Sequence, residues 1–477
     1  MKRRSFIFKS AQALALGFVV PQQLFGNRPA ESVGWHVEQF ADKGLAQFSY
    51  AILFDNKILL IDPARDATPF YEYAKKNHAE IVGVMETHPH ADFVSSHAEI
   101  QRNKGVPIYL SRKVGATFKH HPLDANDRIP LNQDLYLKVL DTPGHSPDSI
   151  SLVLVDKGKD LLVFSGDALL FGDVGRPDLR EYKAGKETER IALAKAMYHT
   201  VHHKFAKLDD QVVLYPAHGA GSLCGSNIRD VSSSTIGYER QHNYAFKNYS
   251  ESEFVALLLK DLPFIPKYFP YDVELNKKGA ADLQRSLLGI QLLPENFETE
   301  TDAIIVDGRS TTLFKTSFLE KAIHIPDGLK FETWLGTIIP PSQKFYLVAE
   351  NSQQLNALIY KVAKIGYEGA IKGGFVFDKK KQAPTIVDKE KFDEYKNDYY
   401  ILDVRETKEF KIHKIFEESV NIPLSELSNR WKEIPSNKPI VVHCASGYRS
   451  AIASSLLRHN LEGVLILDLG EEIQTYK

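Results

Sequence analysis

Cysteine is almost missing from this chain. Only Cys224 and Cys444 occur among 477 residues, which excludes a disulfide-stapled scaffold. Charge of either sign is not in excess: 59 basic residues against 61 acidic ones leave a formal net charge of −2. That balance gives no electrostatic case for nucleic acid as a partner. No glycine-rich phosphate fingerprint and no extended basic patch is present. Long hydrophobic runs are lacking too. Ala11 to Val20 is apolar but falls short of the about 20 residues a membrane span needs, so no stable membrane anchor is expected. What remains is ordinary globular material, 43% hydrophobic and 25% charged. At about 100–200 residues per domain, the length implies roughly three domains.

Histidines and aspartates at the ends of apolar runs carry the chemistry. Thr87-His88-Pro89-His90-Ala91-Asp92-Phe93 follows the strand-like run Ile81 to Met85 and puts two imidazoles and a carboxylate on one loop. Leu135 to Leu140 then leads to His145, Leu161 to Phe164 to Asp167, and Val212 to Leu214 to His218. A lone histidine is more often structural than a ligand, but four ordered motifs reverse those odds. His88, His145 and Asp167 supply two neutral imidazoles and a carboxylate with open positions left over, a set that suits non-haem Fe(II) and O₂. Zinc hydrolases use similar sets with a bound water, so the ligands alone do not choose the metal. Phe93 closes the motif with a phenyl ring, which has no lone pair and cannot coordinate a metal. Asp92 and His218 are left as a two-ligand remnant for a second ion, and His90 stays open as a further ligand.

These motifs resemble the metallo-β-lactamase fold across roughly residues 35–250, and within it the persulfide dioxygenases. The resemblance rests on Glu86-Thr87-His88-Pro89-His90-Ala91-Asp92, on Gly172-Asp173-Val174-Gly175-Arg176-Pro177-Asp178-Leu179 and on Pro216-Ala217-His218-Gly219-Ala220-Gly221-Ser222-Leu223-Cys224-Gly225. It implies one Fe(II) per chain held by His88, His145 and Asp167, a small-molecule persulfide and O₂ as substrates, and sulfite as product. Phe93 and the Gly219–Gly225 tail depart from the animal enzymes and are similar to bacterial fusions of this domain with rhodanese modules. Cys224 is read as inert.

The other end of the chain carries the second half of that fusion. Val441-Val442-His443-Cys444-Ala445-Ser446-Gly447-Tyr448-Arg449-Ser450 follows an apolar run and precedes a helical pattern from about Ser450 to Arg458. A cysteine between a strand and a helix N-terminus faces backbone N–H groups and the positive end of the helix dipole, and Arg449 adds positive charge. This Cys-x-x-Gly-x-Arg loop resembles the rhodanese sulfurtransferases, with Cys444 the implied nucleophile and Arg449 and Asp403 the other implied catalytic-site residues; Asp403 and Arg405 are expected to order the loop. Asp403-Val404-Arg405 and Asn421-Ile422-Pro423 match the same family. Between the two ends, Asp307-Gly308-Arg309 and His324-Ile325-Pro326 repeat that pattern, but Ala349-Glu350-Asn351 stands where a cysteine belongs. The repeat raises the domain count to three.

The expected fold class is α/β: an αββα sandwich over residues 33–262, an inactive rhodanese-like domain over 280–378 and an active one over 385–477. Pro263 to Pro270 and Lys379 to Pro384 are expected as connectors. Residues 1–28, with Lys2-Arg3-Arg4-Ser5-Phe6-Ile7-Phe8-Lys9, read as a bacterial twin-arginine export signal, hence a periplasmic location; a cytoplasmic protein with a basic start is the alternative. Sulfite made at the iron would meet sulfane sulfur at Cys444 and leave as thiosulfate. Two rivals stand beside this reading: a glyoxalase II-like thioester hydrolase using zinc or a metal pair, and a sulfur-carrier module with a decayed metal domain. The carrier thiol of the persulfide and the oligomeric state, a homo-oligomer included, are not legible.

Overall fold

The computed structural model describes residues 34–179, 187–294, 297, 299–300, 303–377 and 387–476. The expected export signal and the connector near Lys379 lie outside them.

Two six-stranded sheets form the first module. One begins with antiparallel strands Trp35–Asp42, Gln47–Phe54 and Lys57–Ile61 and continues in parallel through Glu80–Met85, Ile108–Ser111 and His121–Leu123. The hairpin between Phe54 and Lys57 turns on Asp55 and Asn56, both with positive φ (44° and 57°). Turns of that hand match the strand twist and favour Asp and Asn. The other sheet runs Ser234–Thr235, Val213–Pro216, Lys159–Gly166, Ile150–Asp156, Leu135–Asp141, Arg128–Pro130. Their facing sides meet in a core that joins Ile52, Leu59 and Met85 to Leu137, Leu152 and Phe164. Helices Thr68–Lys76 and His97–Lys104 cover one outer face, through Phe70, Ala74 and Ile100. Helix Glu187–His203 covers the other, through Ala194, Met197 and Val201. Both sheets are therefore buried on both sides, which explains the apolar run Leu152 to Val155 within strand Ile150–Asp156.

Two four-stranded, all-parallel sheets follow, each with its second strand at one edge and the first, third and fourth after it. The first holds Ile304–Asp307, Ile323–His324, Phe345–Ala349 and Ile371–Val376; the second Tyr400–Asp403, Val420–Asn421, Ile440–His443 and Ile466–Asp468. The repeat extends to single bonds. Arg309 forks onto Asp307 and donates to the Ser317 carbonyl at 2.8 Å, while Arg405 forks onto Asp403 and donates to the His413 carbonyl at 2.8 Å. Asp307 pairs with Val348 and Asp403 with His443, so the register sets Ala349 on the position of Cys444.

One expectation is corrected. Pro263 to Pro270 is not a connector throughout: Pro270 lies in the first turn of helix Phe269–Lys278, where its missing N–H has no intrahelical role. Phe269, Asp272, Val273 and Asn276 of that helix are buried between the first and middle modules. A contiguous apolar cluster runs from Phe93 and Cys224 through Tyr268 and Trp334 to Leu427 and Cys444, with the middle module at its centre. No helix among the described residues is long and apolar enough to cross a membrane.

Candidate metal centre and cysteine loop

The strand Glu80–Met85 ends just before His88, Leu135–Asp141 before His145, and Lys159–Gly166 at Asp167. The three side chains converge although up to 79 residues separate them (167 − 88). His88 Nε2 lies 3.7 Å and His145 Nε2 3.5 Å from Asp167 Oδ2, and all three residues are buried. Their donor atoms fall within 4.8 Å of one another, a spacing that one cation can span. His145 Nδ1 faces the Arg176 carbonyl at 2.9 Å; donating there turns Nε2 towards the centre. Thr87 Oγ1 sits 3.0 Å from His88 Nδ1 and donates to Asp62. Gly175 makes this close packing possible: a Cβ there would stand 2.2 Å from the Asp167 carbonyl oxygen and 2.7 Å from His145 Nδ1.

The remaining motif residues go elsewhere. His218 lies between two carboxylates, its Nδ1 2.6 Å from Asp167 Oδ1 and its Nε2 2.8 Å from Asp92 Oδ2. It therefore orients Asp167 rather than facing the three-residue centre. Burial disfavours charge on this imidazole, yet Asp167 and Asp92 hold its pKa well above the ordinary range. Burial likewise opposes ionisation of Asp167, but His218, His145 and His88 keep its carboxyl well below the usual values. His90 turns away to Asp62 (3.2 Å) and Glu86 (3.9 Å), and the Phe93 ring packs on it at 4.3 Å. Asn276 of the intermodule helix donates to the His90 and Phe93 carbonyls and so fixes this loop. Sequence reasoning set Cys224 aside; its Sγ shares a 4.8 Å cluster with Asp92 and His218. Burial, then Asp167 and Asp92, push that thiol's pKa far up, so it stays protonated. The available signal was its place six residues after His218 in the same loop.

Cys444 follows strand Ile440–His443 directly, and Gly447 donates its N–H to Sγ at 3.2 Å just before helix Tyr448–Asn460. Gly447 has φ of 95° and stands against the backbone of Gly470, so the loop needs glycine there. Arg449, expected beside the cysteine, forks onto Glu409 at 2.5 and 2.8 Å, and Arg405 onto Asp403. Asp403 is thus a buried ion-pair anchor of the loop. Cys444 itself is buried.

Residues 42–218 match the metallo-beta-lactamase superfamily and residues 385–472 the rhodanese-like domain. A crystal structure described as a metallo-beta-lactamase from Staphylococcus aureus is 31% identical with a TM-score of 0.67, covering 72% of this chain and all of that one. The mitochondrial persulfide dioxygenase of Homo sapiens is 30% identical over 174 residues, 36% of this chain and 63% of the relative. A hydroxyacylglutathione hydrolase of Hahella chejuensis is 35% identical over 117 residues, 24% of this chain and 44% of the relative. The chain thus spans less than two thirds of the length of either enzyme.

Proposed function

The chain belongs to the metallo-beta-lactamase superfamily and carries a rhodanese-like domain, and from that premise we propose that it oxidises a thiol persulfide to sulfite at a single iron and moves sulfane sulfur through Cys444. One observation carries the reading: a buried two-imidazole, one-carboxylate centre of His88, His145 and Asp167, beside a loop in which Phe93, packed on His90, offers no ligand atom.

The residues fit a bound cation. Asp167 Oδ2 is buried and accepts no hydrogen bond among the described residues, while its partner oxygen is engaged by His218. A buried carboxylate oxygen left in that state is costly unless a positive charge stands before it. His88, His145 and Asp167 would hold the ion, and three protein ligands leave positions for substrate. Bound there, Fe(II) would supply the one-electron chemistry that lets O₂ react with a sulfur atom. The chain's own residues supply the rest. His218 and Asp92 brace Asp167, and the buried surroundings limit the access of water.

At Cys444 the thiolate would attack the outer sulfur of a persulfide or of thiosulfate, breaking its S–S bond and releasing thiol or sulfite. In the reverse sense, sulfite would take that sulfur from the Cys444 persulfide and leave as thiosulfate. The buried pair Asp403–Arg405 and the half-buried pair Glu409–Arg449 order the loop. If residues 2–9 direct export, this chemistry is periplasmic.

A second reading has one observation behind it: Asp92, His218 and Cys224 could take a further cation and make a two-metal thioester hydrolase. Oxygen-electrode traces and metal analysis of the Fe(II)-loaded chain decide between them. The proposal expects one iron per chain and persulfide-dependent O₂ uptake that His145→Ala abolishes. Two metals, no uptake and turnover of thioesters would replace it with the hydrolase.

A further inference from the structure

Helix Glu187–His203 has two faces with different tasks. The inner one holds the turn that leads to His145: Thr200 Oγ1 donates to the Pro143 carbonyl at 2.6 Å, and a Cβ on Gly144 would stand 2.7 Å from Met197 Cα. The outer one carries His199 and His203, both exposed. They stand at i and i+4, so they lie one turn apart on the same side of the helix. Their rings are stacked, 20° from parallel with centroids 5.4 Å apart. Two histidines at this spacing turn their nitrogen lone pairs to one side, an arrangement that holds zinc on a helix face.

A carboxylate reaches the pair from a second helix. Glu251 opens helix Glu251–Leu258, with Oε2 3.0 Å from His199 Nε2 and Oε1 3.5 Å from Lys195 Nζ. Tyr198 and Phe254 pack edge to face between the two helices at 5.5 Å, which keeps Glu251 beside the imidazoles. Exposed ion pairs of this kind contribute little to stability and give way to a metal bond. His202 leans on Tyr198 at 4.4 Å and is not counted as a ligand. Burial, then His203 and His199, hold its pKa down, the mark of three imidazoles sharing a small volume. Both His199 and His203 are free of the core, so rotation about their side-chain torsions can close two nitrogens and a carboxylate oxygen around one ion.

We propose that His199, His203 and Glu251 form a peripheral site for a divalent transition-metal ion of the zinc type, which clamps helix Glu187–His203 to helix Glu251–Leu258 behind the His145 turn. Imidazole-rich donor sets favour zinc, copper and nickel over iron, so this site and the buried centre take different metals. The proposal is independent of the dioxygenase reading, because none of its residues belongs to the centre of His88, His145 and Asp167.

The probe is Zn²⁺, titrated calorimetrically into the full Fe(II)-loaded chain without O₂, with iron measured before and after. The unmodified chain should take up one zinc ion and keep its iron. His203→Gln and Glu251→Gln should each weaken that binding about tenfold or more. Replacing an exposed histidine elsewhere, His242→Gln, should leave it as it was. Zinc should also raise the Tm of the unmodified and His242→Gln chains and not that of His203→Gln, since an ion bound only by the folded helix pair stabilises it by mass action. Each variant is compared with itself, with and without zinc, so any loss of its own stability cancels. Equal zinc affinity in the unmodified chain and in His203→Gln would overturn the proposal, and so would no binding at all. Zinc uptake matched by iron release would overturn it too, by placing the ion at the buried centre. A second metal held by Asp92, His218 and Cys224 would survive His203→Gln, so the hydrolase reading is judged separately.

Discussion

Arg65 ties the metal-bearing module to its neighbour, and replacing it with methionine measures how firmly. Its guanidinium is buried, 2.6 Å from Glu368 Oε1 of the middle module and 3.5 Å from Glu99 Oε2 of its own, and it donates to the Ala281 carbonyl at 3.1 Å. Methionine keeps most of the volume but strands two carboxylates at a buried boundary. Removing one partner of a buried ion pair costs about 3–5 kcal/mol. Some of that is relieved because burial already raises the Glu99 pKa, and without Arg65 it takes up a proton more readily. We therefore expect a loss near the lower end, about 3 kcal/mol at neutral pH. Adding Glu368→Leu removes the stranded group and should recover about 1–2 kcal/mol. Trp35, Trp334 and Trp431 fall one in each module, so single-tryptophan variants report each unfolding step in urea. The Trp35 and Trp334 transitions should coincide with Arg65 present and separate in Arg65→Met. A change below about 0.5 kcal/mol with transitions still superimposed would refute this account of the junction.

The two proposed chemistries should separate by mutation. Cys444→Ser should abolish sulfur transfer from thiosulfate while O₂ uptake with persulfide continues; loss of both would end the two-site picture. His324 is buried, and burial pushes its pKa down to about 4. Between pH 6.5 and 4 the unfolded chain binds a proton that this native imidazole refuses, so stability falls as the pH falls, by up to about 3 kcal/mol. Asn421 holds the matching position in the last module and donates to the Asp403 carbonyl, as His324 can to that of Asp307. His324→Asn should thus flatten the acid limb of the stability profile, and an unchanged limb would show that other groups produce it.

Much of the site was legible because each of its residues ends an apolar run, and a strand end fixed in a sandwich is a local, readable feature. The internal repeat was legible through Asp307–Arg309 and Asp403–Arg405, whose two-residue spacing forms the buried fork. The direction of His90 was not. In His88-Pro89-His90 the two imidazoles leave an irregular loop, and what turns the second towards Asp62 is packing by Phe93 and by Asn276, 186 residues away. The helix Phe269–Lys278 was hidden for a similar reason: proline and aromatic residues suggest a connector, while burial between two modules makes the same residues a wedge. Cys224 carried no motif of its own, and only the folded loop brings it to Asp92 and His218.

The module that lacks a nucleophile is the one least free to drift. On one side Lys330, Lys364 and Glu368 face the metal-bearing module; on the other the His324 N–H bonds Ser455, the Pro326 carbonyl accepts from Tyr448, and Lys315 pairs with Asp468. Substitutions there would register at either neighbour, so selection should hold these surface-joining residues more tightly than the strand end at Ala349, where no thiol stands. A lineage could discard the chemistry of this copy because its occupation had become attachment.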